Sequence, residues 1–357
     1  MKFRLIILLV LLLSSVHLVA QNLATKGTYT NPLLNYGPDP WVVYVDGYYY
    51  YMHTMMDRLV LWKTKDIVDL RHAQQKVIWT PDRPEYSKDV WAPEIHHING
   101  KWYVYFAADD GNTDNHQLYC LECADEDPME GLFVMKGRIS TDPDHNWAID
   151  GSVFEHKGEL YMVWSGWETR RISTETQCIY IARMKNPWTL ATPRVQISRP
   201  VLEWERRYLN VDGSGPDHVI YVNEGPQPLI SPDGRLVHII YSASGCWTPY
   251  YSLGCLTAPA DADLLDASSW TKSSKPLFEQ SEQNGVYGTG HNSFFRSPDG
   301  TQDFILYHAR DIQMDSPGKG DTRSPRAEQF SWTTDGYPIF GTPTSRDVPI
   351  AKPSFNK

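Results

Sequence analysis

The sequence has few cysteines and no excess of positive charge, and each shortage excludes a class of protein. Five cysteines occur in 357 residues, none at metal-site spacing. Cys120 and Cys123 lie in a strand-like run, LYCLECAD, which turns their side chains to opposite faces. We therefore expect buried free thiols, with a Cys246–Cys255 disulfide as the alternative. The net charge of −10 argues against nucleic acid and anionic membranes as partners.

Long apolar runs are also absent, apart from one near the start. Residues 5–13 form an unbroken apolar run after a short basic segment, and nine residues are too few to span a bilayer. This pattern predicts a signal peptide over residues 1–20, followed by one domain over residues 21–357. We expect an exported protein, periplasmic or secreted, with no membrane association after cleavage.

Helical periodicity is weak, but strand and turn signals recur five times. The copies are PDPWVVYVDGYYYYMHT, APEIHHINGKWYVYFAA, DGSVFEHKGELYMVWSG, EGPQPLISPDGRLVHIIYSASG and HNSFFRSPDGTQDFILYHAR. Each has an apolar segment, a turn ending in glycine and an aromatic-rich segment, which is the pattern of a β-hairpin. Five such repeats predict an all-β, five-bladed β-propeller in a single domain. We expect residues 168–222 to form a long rim loop and the late FSWTTDG segment to close the ring against the first blade.

A polar residue stands shortly before each turn, at Asp39, Glu94, Asp150, Glu224 and His291. If the first strand of each blade lines the channel, these side chains converge on one axis. Asp39 and Asp150 both lie eight residues before their turn glycines, whereas Glu224 lies ten before its own. We attribute the difference to a longer turn in the fourth blade.

Three carboxyl groups on a narrow axis cannot all ionise at low cost. Close like charges and burial raise at least one pKa, so one carboxyl stays protonated as an acid while another acts as a base. Glycoside hydrolysis uses such a pair. A calcium site is the alternative reading of the same oxygen cluster.

The motifs PDPW, VWAPE, IDGSVF, NEGPQ and GHNSFF, in this order, resemble glycoside hydrolase family 43. The resemblance spans all five repeats and implies a five-bladed propeller that inverts the anomeric centre. It implies that Asp39 is the general base, that Glu224 is the general acid, and that Asp150 raises the pKa of the acid and orients it.

Four further residues are candidates for substrate binding. His291 matches a family histidine that in some members holds a calcium or sodium ion through water, and a hydrogen-bonded core histidine is the alternative. Trp91 and Trp167 are candidates to stack on sugar, or else pack the sheets. Arg310 is a candidate donor to sugar hydroxyls or to a carboxylate, with a surface ion pair as the alternative. We expect Glu94 to pair with an arginine.

The runs YSASGCW and VYGTGHNSFF resemble those of exo-acting α-L-arabinofuranosidases. The resemblance implies a substrate among plant cell-wall polysaccharides or their oligosaccharides, with no required cofactor, and we expect a monomer. A β-xylosidase or exo-β-galactanase of the same fold is the nearest alternative. A glycan-binding propeller without catalytic activity is an alternative of another class.

Overall fold

The computed structural model describes residues 27–316, 318 and 320–355. The predicted signal peptide lies outside these residues. Five sheets account for nearly all of the regular structure, and each sheet is one blade. They are antiparallel apart from one strand pair in the third blade. Within this part of the chain, no helix is both long enough and apolar enough to cross a membrane.

A short strand β1 (Thr28–Tyr29) precedes the blades, whose strands follow in chain order from the inside outward. Blade 1 contains β2 (Trp41–Val45), β3 (Tyr48–Met52), β4 (Leu59–Thr64) and β5 (Gln74–Trp79). Blade 2 contains β6 (Lys88–Ile98), β7 (Lys101–Asp109), β8 (Gln117–Cys123) and β9 (Val134–Arg138). Blade 3 contains β10 (Ala148–His156), β11 (Glu159–Trp167), β12 (Thr174–Asn186), β13 (Thr189–Leu190), β14 (Val195–Ser198) and β15 (Val219–Tyr221).

The last two blades have four strands each. Blade 4 contains β16 (Asn223–Ile230), β17 (Leu236–Ala243), β18 (Ser252–Pro259) and β19 (Thr271–Lys272). Blade 5 contains β20 (Tyr287–Arg296), β21 (Asp303–Arg310), β22 (Ser324–Trp332) and β23 (Pro338–Ile339), and a final strand β24 (Ile350–Ala351) follows. Short 3₁₀ helices lie at Ile67–His72, Pro84–Tyr86, Thr113–Asn115, Glu203–Glu205 and Ala267–Ser269.

The predicted hairpins are present in all five blades. In blades 1 to 3 the turn glycine and the residue before it both have positive φ, as at Asn99 (50°) and Gly100 (76°). This is the geometry of the two-residue turn that suits twisted strands. In blades 4 and 5 the turns are longer, and the N–H groups of Gly234 and Gly300 donate to the carbonyls of Ser231 and Ser297.

Apolar side chains pack in five clusters, one between each pair of neighbouring blades. Strand β7 shows how a single strand serves two of them. Trp102, Val104 and Phe106 pack toward blade 1, while Tyr103 and Tyr105 pack toward blade 3. Successive side chains of a strand point to opposite faces, so a strand covered on both faces is apolar throughout. The aromatic residues therefore serve mainly as packing between blades.

The innermost strands of neighbouring blades contact one another in a closed cycle of β2, β6, β10, β16 and β20. The all-β, five-bladed propeller is therefore confirmed. The predicted closure by the FSWTTDG segment is wrong, because that segment stays within blade 5, where β22 pairs with β21 and β23. Strand β1 instead pairs with β24, which joins the two ends of the described chain.

One other expectation needs correction, and the expectation of free thiols is confirmed over its disulfide alternative. Residues 168–222 do not form one long loop, because β12 to β15 lie within them as part of blade 3. The Cys246–Cys255 disulfide is not formed, and all five cysteines are free. Burial is the main cause that raises the pKa of the Cys246 thiol to about 12, so this thiol stays protonated at neutral pH.

Candidate active site

A residue at an equivalent place in the inner strand region of every blade has the left-handed backbone conformation. These residues are Asp39 (φ 56°), Ala92 (43°), Asp150 (56°), Gly225 (53°) and His291 (45°). In blades 2 to 5 the pairing between the first two strands shifts register at this point. Such a bulge bends the strand and redirects a side chain. The fold thus repeats one strained position five times around the channel.

The repeated position changes which residues of different blades are equivalent. The strained residue precedes its turn glycine by eight residues in blades 1 to 3 and by nine in blades 4 and 5. Ala92 and Gly225, rather than Glu94 and Glu224, are therefore the counterparts of Asp39. Glu224 lies one residue before the strained position, and Glu94 lies two residues after it. Counting back from the turn glycines would have revealed this offset in the sequence.

A pocket of about 560 Å³ lies at the end of the channel where the inner strands begin. Asp39, Asp150 and Glu224 all line it, with exposed fractions of 9%, 3% and 9%. The sequence prediction that these three carboxyl groups come together is thus met in the structure. Their low exposure means that each charge depends on its protein neighbours rather than on water.

Asp39 is held by three side chains. The Thr54 hydroxyl donates to its Oδ2 at 2.6 Å, and Arg323 Nη1 lies 3.3 Å from its Oδ1. His291 Nδ1 also lies 3.3 Å from Oδ1. Sequence reasoning missed Thr54 and Arg323. Arg323 follows a segment rich in glycine, proline and charge that offers no strand pattern, so only the fold brings it to the pocket.

Glu224 has one strong neutral partner, because the Tyr251 hydroxyl donates to its Oε1 at 2.7 Å. Burial raises the pKa of Glu224 to about 7, opposed by the Tyr251 hydrogen bond and assisted by the negative charge of Asp39. A carboxyl group with this pKa is protonated in a large fraction of molecules at neutral pH, as a proton donor must be.

Asp150 lies deepest of the three. Burial raises its pKa well above the ordinary value, and the charges of Glu224 and Asp39 add to this effect. Its Oδ2 accepts a hydrogen bond from the Gly225 N–H at 2.9 Å. Asp150 therefore contacts the backbone next to Glu224, which gives it a direct means of orienting that residue.

Hydrogen bonds between blades fix the strained residues. The backbone N–H in four blades donates to a side chain of the preceding blade: Asp39 to His308 Nδ1, Ala92 to Thr54 Oγ1, Gly225 to Asp150 Oδ2 and His291 to Ser242 Oγ. Burial holds the pKa of His308 well below its usual value, so its neutral ring accepts this bond. Such bonds offset the conformational cost of a positive φ at residues with a side chain.

The two predicted tryptophans both line the pocket. Trp91 stacks on His116 at a centroid distance of 3.9 Å, and Trp167 stacks on Trp147 at 5.1 Å. Each ring is therefore packed on one side. Trp91 is partly exposed, so ligand contact and packing both apply to it, whereas Trp167 is only 2% exposed and serves mainly as packing.

Arg310 does not line the pocket, which contradicts its predicted role in substrate binding. Its guanidinium is buried, with Nε 3.0 Å from Asp315 Oδ2 and Nη1 donating to the Cys246 carbonyl at 2.7 Å. It is not a surface ion pair either, because only 3% of the residue is exposed. The alternative that it donates to a carboxylate is met, and that carboxylate is Asp315. Arg323 is the arginine that reaches the pocket.

His291 lies between two of the carboxyl groups, with Nδ1 3.3 Å from Asp39 and 4.0 Å from Asp150. On the same strand, the side-chain oxygens of Thr289 and Asn292 are buried and have no hydrogen-bond partner among the described residues. These oxygens fit ordered water or a hydrated cation. In the part of the chain that the structure describes, no group of three or more His, Cys, Asp or Glu side chains converges to hold a metal directly.

Glu94 belongs to a second layer, deeper in the channel. The prediction that Glu94 pairs with an arginine is wrong. Its Oε2 lies 2.9 Å from His96 Nε2, and its Oε1 accepts a hydrogen bond from Gln227 Nε2. Ser152 Oγ lies 3.4 Å from Gln227 Oε1 and extends the network.

Comparisons with known proteins agree with this fold. Residues 29–338 match the model of "Glycosyl hydrolases family 43". The chain is 39% identical over 341 residues to "Extracellular exo-alpha-(1->5)-L-arabinofuranosidase" of Streptomyces avermitilis, covering 92% of this chain and 66% of that protein. It is 36% identical to "Alpha-L-arabinofuranosidase 43" of Humicola insolens, covering 88% of this chain and 63% of that protein.

The chain thus spans just under two thirds of the length of these two relatives. Among solved structures, it superimposes on the α-L-arabinofuranosidase from Lactobacillus brevis with a TM-score of 0.80 and 34% identity, covering 90% of this chain and 98% of that one. The family match covers most of the chain and all five blades. The chain therefore belongs to glycosyl hydrolases family 43.

Proposed function

We propose that this protein is an exo-acting α-L-arabinofuranosidase that removes terminal arabinose from arabinan or arabinose-decorated plant polysaccharide. The observation that carries the proposal is the set of three buried carboxyl groups at the end of one pocket. The relatives named as arabinofuranosidases support the choice of sugar. The extracellular description of the Streptomyces avermitilis relative agrees with an exported protein, and the choice between periplasm and secretion stays a prediction.

In the proposed mechanism, Asp39 is the general base. Thr54 donates to one of its oxygens and Arg323 lies beside the other, so the carboxylate is fixed in orientation. Asp39 removes a proton from a water molecule as that water attacks the anomeric carbon. Direct attack by water in a single displacement inverts that carbon.

Glu224 is the proposed general acid, and it donates its proton to the oxygen of the departing group. Burial raises its pKa to about 7, which keeps a protonated fraction available at neutral pH. Asp150 holds the Gly225 N–H and thereby the backbone from which Glu224 projects. No step requires a metal. We propose that any calcium or sodium ion bound near His291 has a structural role, and that Thr289 and Asn292 hold it through water.

A β-xylosidase or exo-β-galactanase of the same fold remains the nearest alternative, since these pockets differ by few hydrogen bonds. A glycan-binding propeller without catalysis would need neither an acid nor a base. Both carboxyl groups line the pocket of this chain, which favours an enzyme.

The test compares hydrolysis of 4-nitrophenyl α-L-arabinofuranoside, 4-nitrophenyl β-D-xyloside and α-1,5-arabinobiose by the wild type and by Glu224→Gln. We expect the wild type to prefer the arabinosides. Loss of the general acid should reduce kcat by about 10²- to 10⁴-fold on arabinobiose. The loss should be smaller on the nitrophenyl substrate, whose leaving group needs little protonation.

A wild type that cleaves the xyloside faster would favour the xylosidase alternative. A wild type no faster than Glu224→Gln on every substrate would contradict the glycosidase proposal. Proton NMR of the first-formed sugar tests inversion, and a retained anomer would contradict the role given to Asp39.

A further inference from the structure

Blade 3 departs from the four-strand plan of the other blades. Strand β12 is thirteen residues long, and its first residues pair with β15 in parallel, matching Thr174 with Val219 and Thr176 with Tyr221. Every other strand pair in the described sheets is antiparallel. The two strands extend this blade beside the pocket, and we call this extension the blade 3 wall.

Alternate residues of the wall face the pocket. Glu175 and Gln177 of β12 line it, as do His218 and Ile220 at the start of β15. Side chains alternate between the two faces of a strand, so every second residue of each strand lies on the same face. The pocket-facing residues of the two paired strands therefore form one continuous surface. Trp167 and Arg171 line the pocket next to it.

Polar contacts tie the wall together but leave one acceptor without a partner. Gln177 Nε2 donates to Glu175 Oε1 at 2.8 Å, and His218 Nε2 lies 3.4 Å from Glu175 Oε2. Arg171 Nη1 lies 2.9 Å from the same His218 nitrogen. Because a carboxylate only accepts, the Gln177 amide must turn its NH₂ toward Glu175. Its Oε1 then has no hydrogen-bond partner anywhere in the described chain, although 94% of the residue is buried.

The unpartnered oxygen has a physical cost, because a buried acceptor without a hydrogen bond loses its hydration. A ligand group or an ordered water that donates to it can satisfy an acceptor of this kind beside a pocket. Sugar hydroxyl groups are such donors, and the Glu175 carboxylate offers further acceptor positions nearby. Ile220 adds apolar surface beside these acceptors.

The wall lies on the side of the general acid. Chain connectivity places it there, because β15 ends at Tyr221 and only Val222 and Asn223 separate it from Glu224. Strand β12 also contacts β16, the strand that carries Glu224. The group that receives the proton of Glu224 is the leaving group, so the wall borders the space that the leaving group occupies.

We infer that the blade 3 wall is the subsite for the leaving-group sugar, with Gln177 Oε1 and Glu175 as acceptors for its hydroxyl groups. This inference rests on the proposed function and adds a specificity for carbohydrate over non-sugar leaving groups. The wall binds a polyhydroxylated ring, whereas Asp39, Asp150 and Arg323 surround the sugar that is released from the chain end.

Gln177→Met tests the subsite, because it keeps the length of the side chain and removes the acceptor. We measure kcat/KM on α-1,5-arabinobiose, whose leaving group is a sugar, and on 4-nitrophenyl α-L-arabinofuranoside, whose leaving group is not. The ratio of the first value to the second should fall about tenfold, as expected for one lost hydrogen bond to substrate. His218→Gln, at a more exposed position, provides a second variant with a smaller fall in the ratio.

Thr176→Val is the matched control, since Thr176 lies between Glu175 and Gln177 on the same strand and faces away from the pocket. It should leave the ratio unchanged. Equal losses on both substrates in Gln177→Met, with an unchanged ratio, would contradict the subsite. A wild type that cleaves neither arabinoside would instead contradict the proposed function. Calorimetric titration with arabinobiose then decides the subsite separately, because equal affinity in the wild type and Gln177→Met would overturn it.

Discussion

Two layers of the same channel place buried carboxyl groups in opposite circumstances. In the upper layer, Asp39 and Glu224 face the pocket. Only a few residues further along the inner strands, Glu94 is enclosed by His96 and Gln227 and does not reach the pocket. The residue type is similar and the strands are equivalent. Depth in the channel therefore decides whether a carboxyl group meets substrate or only its protein neighbours.

The comparison also separates two uses of hydrogen bonds. Glu94 is paired on both of its oxygens by side chains of the channel. Glu224 has a single partner, Tyr251, and keeps one oxygen toward the pocket. A general acid needs an oxygen that can give its proton to substrate, whereas a framework carboxylate is most stable when every acceptor is used.

The sharpest test replaces a carboxylate by an amide in each layer. Asp39→Asn should lower kcat by about 10³-fold or more, because the amide cannot accept the proton of the attacking water. Glu94→Gln should keep kcat within about tenfold of the wild type. Steady-state kinetics on the arabinoside measure both. Equal losses in the two variants would remove the functional distinction between the layers.

Removal of the Glu94 side chain should affect stability more than chemistry. Glu94→Ala leaves His96 and Gln227 without their partner in a buried site, which should cost about 3 kcal/mol of unfolding free energy. Urea denaturation measures the loss. Glu159→Ala, at an exposed position of a hairpin, should cost less than about 0.5 kcal/mol. A cost for Glu94→Ala as small as for this control would mean that the lower layer is not framework.

Glu224 should destabilise the fold at alkaline pH. Its pKa rises from 4.5 to about 7 on folding, so the folded state binds the proton more tightly than the unfolded state. The stabilisation that comes from this tighter proton binding is complete below pH 4.5 and is lost as the pH rises through about 7. The loss in unfolding free energy has an upper limit of about 3 kcal/mol. Glu224→Gln should therefore raise the melting temperature at pH 8 and change it little at pH 4.5.

Thermal unfolding at the two pH values measures this difference. Gln at position 224 can still accept the Tyr251 hydrogen bond, so that contact is retained. Glu203→Gln, whose side chain is 95% exposed, is the control and should show no such pH dependence. An equal effect of Glu224→Gln at pH 4.5 and pH 8 would contradict the raised pKa.

The smallest expected effect concerns the orientation of the base. Thr54→Val removes the hydroxyl that donates to Asp39 and accepts from the Ala92 N–H, and kcat should fall about tenfold. Thr54→Ser keeps the hydroxyl and should retain most of the activity. A Ser variant as impaired as the Val variant would show that Thr54 acts through packing alone.

Much of the site could be predicted because hairpins of fixed length carry it. The turn glycines predicted five blades, and Asp39, Asp150 and Glu224 do meet in one pocket. The alignment of Glu94 and Glu224 with Asp39 was wrong for two reasons. Glu94 lies six rather than eight residues before its turn glycine, and the longer turn of blade 4 accounts for only one of the two extra residues before Glu224. Arg323 could not be predicted, since it reaches Asp39 from the far end of the chain, 284 residues away.

The sequence by itself determined the ring of blades, since alternating apolar residues and glycine turns act within one hairpin and need no distant partner. It also determined which carboxyl groups begin the inner strands. Only the tertiary structure decided what those groups do. The fold of blade 1 brings Thr54 to Asp39, blade 5 supplies Arg323, and blade 4 supplies the Gln227 that encloses Glu94. The closed ring also sets the depth at which burial raises the pKa of Glu224. These effects depend on the distances between side chains and on the local dielectric environment. Both are set by residues distant in sequence, which come together only when the ring closes.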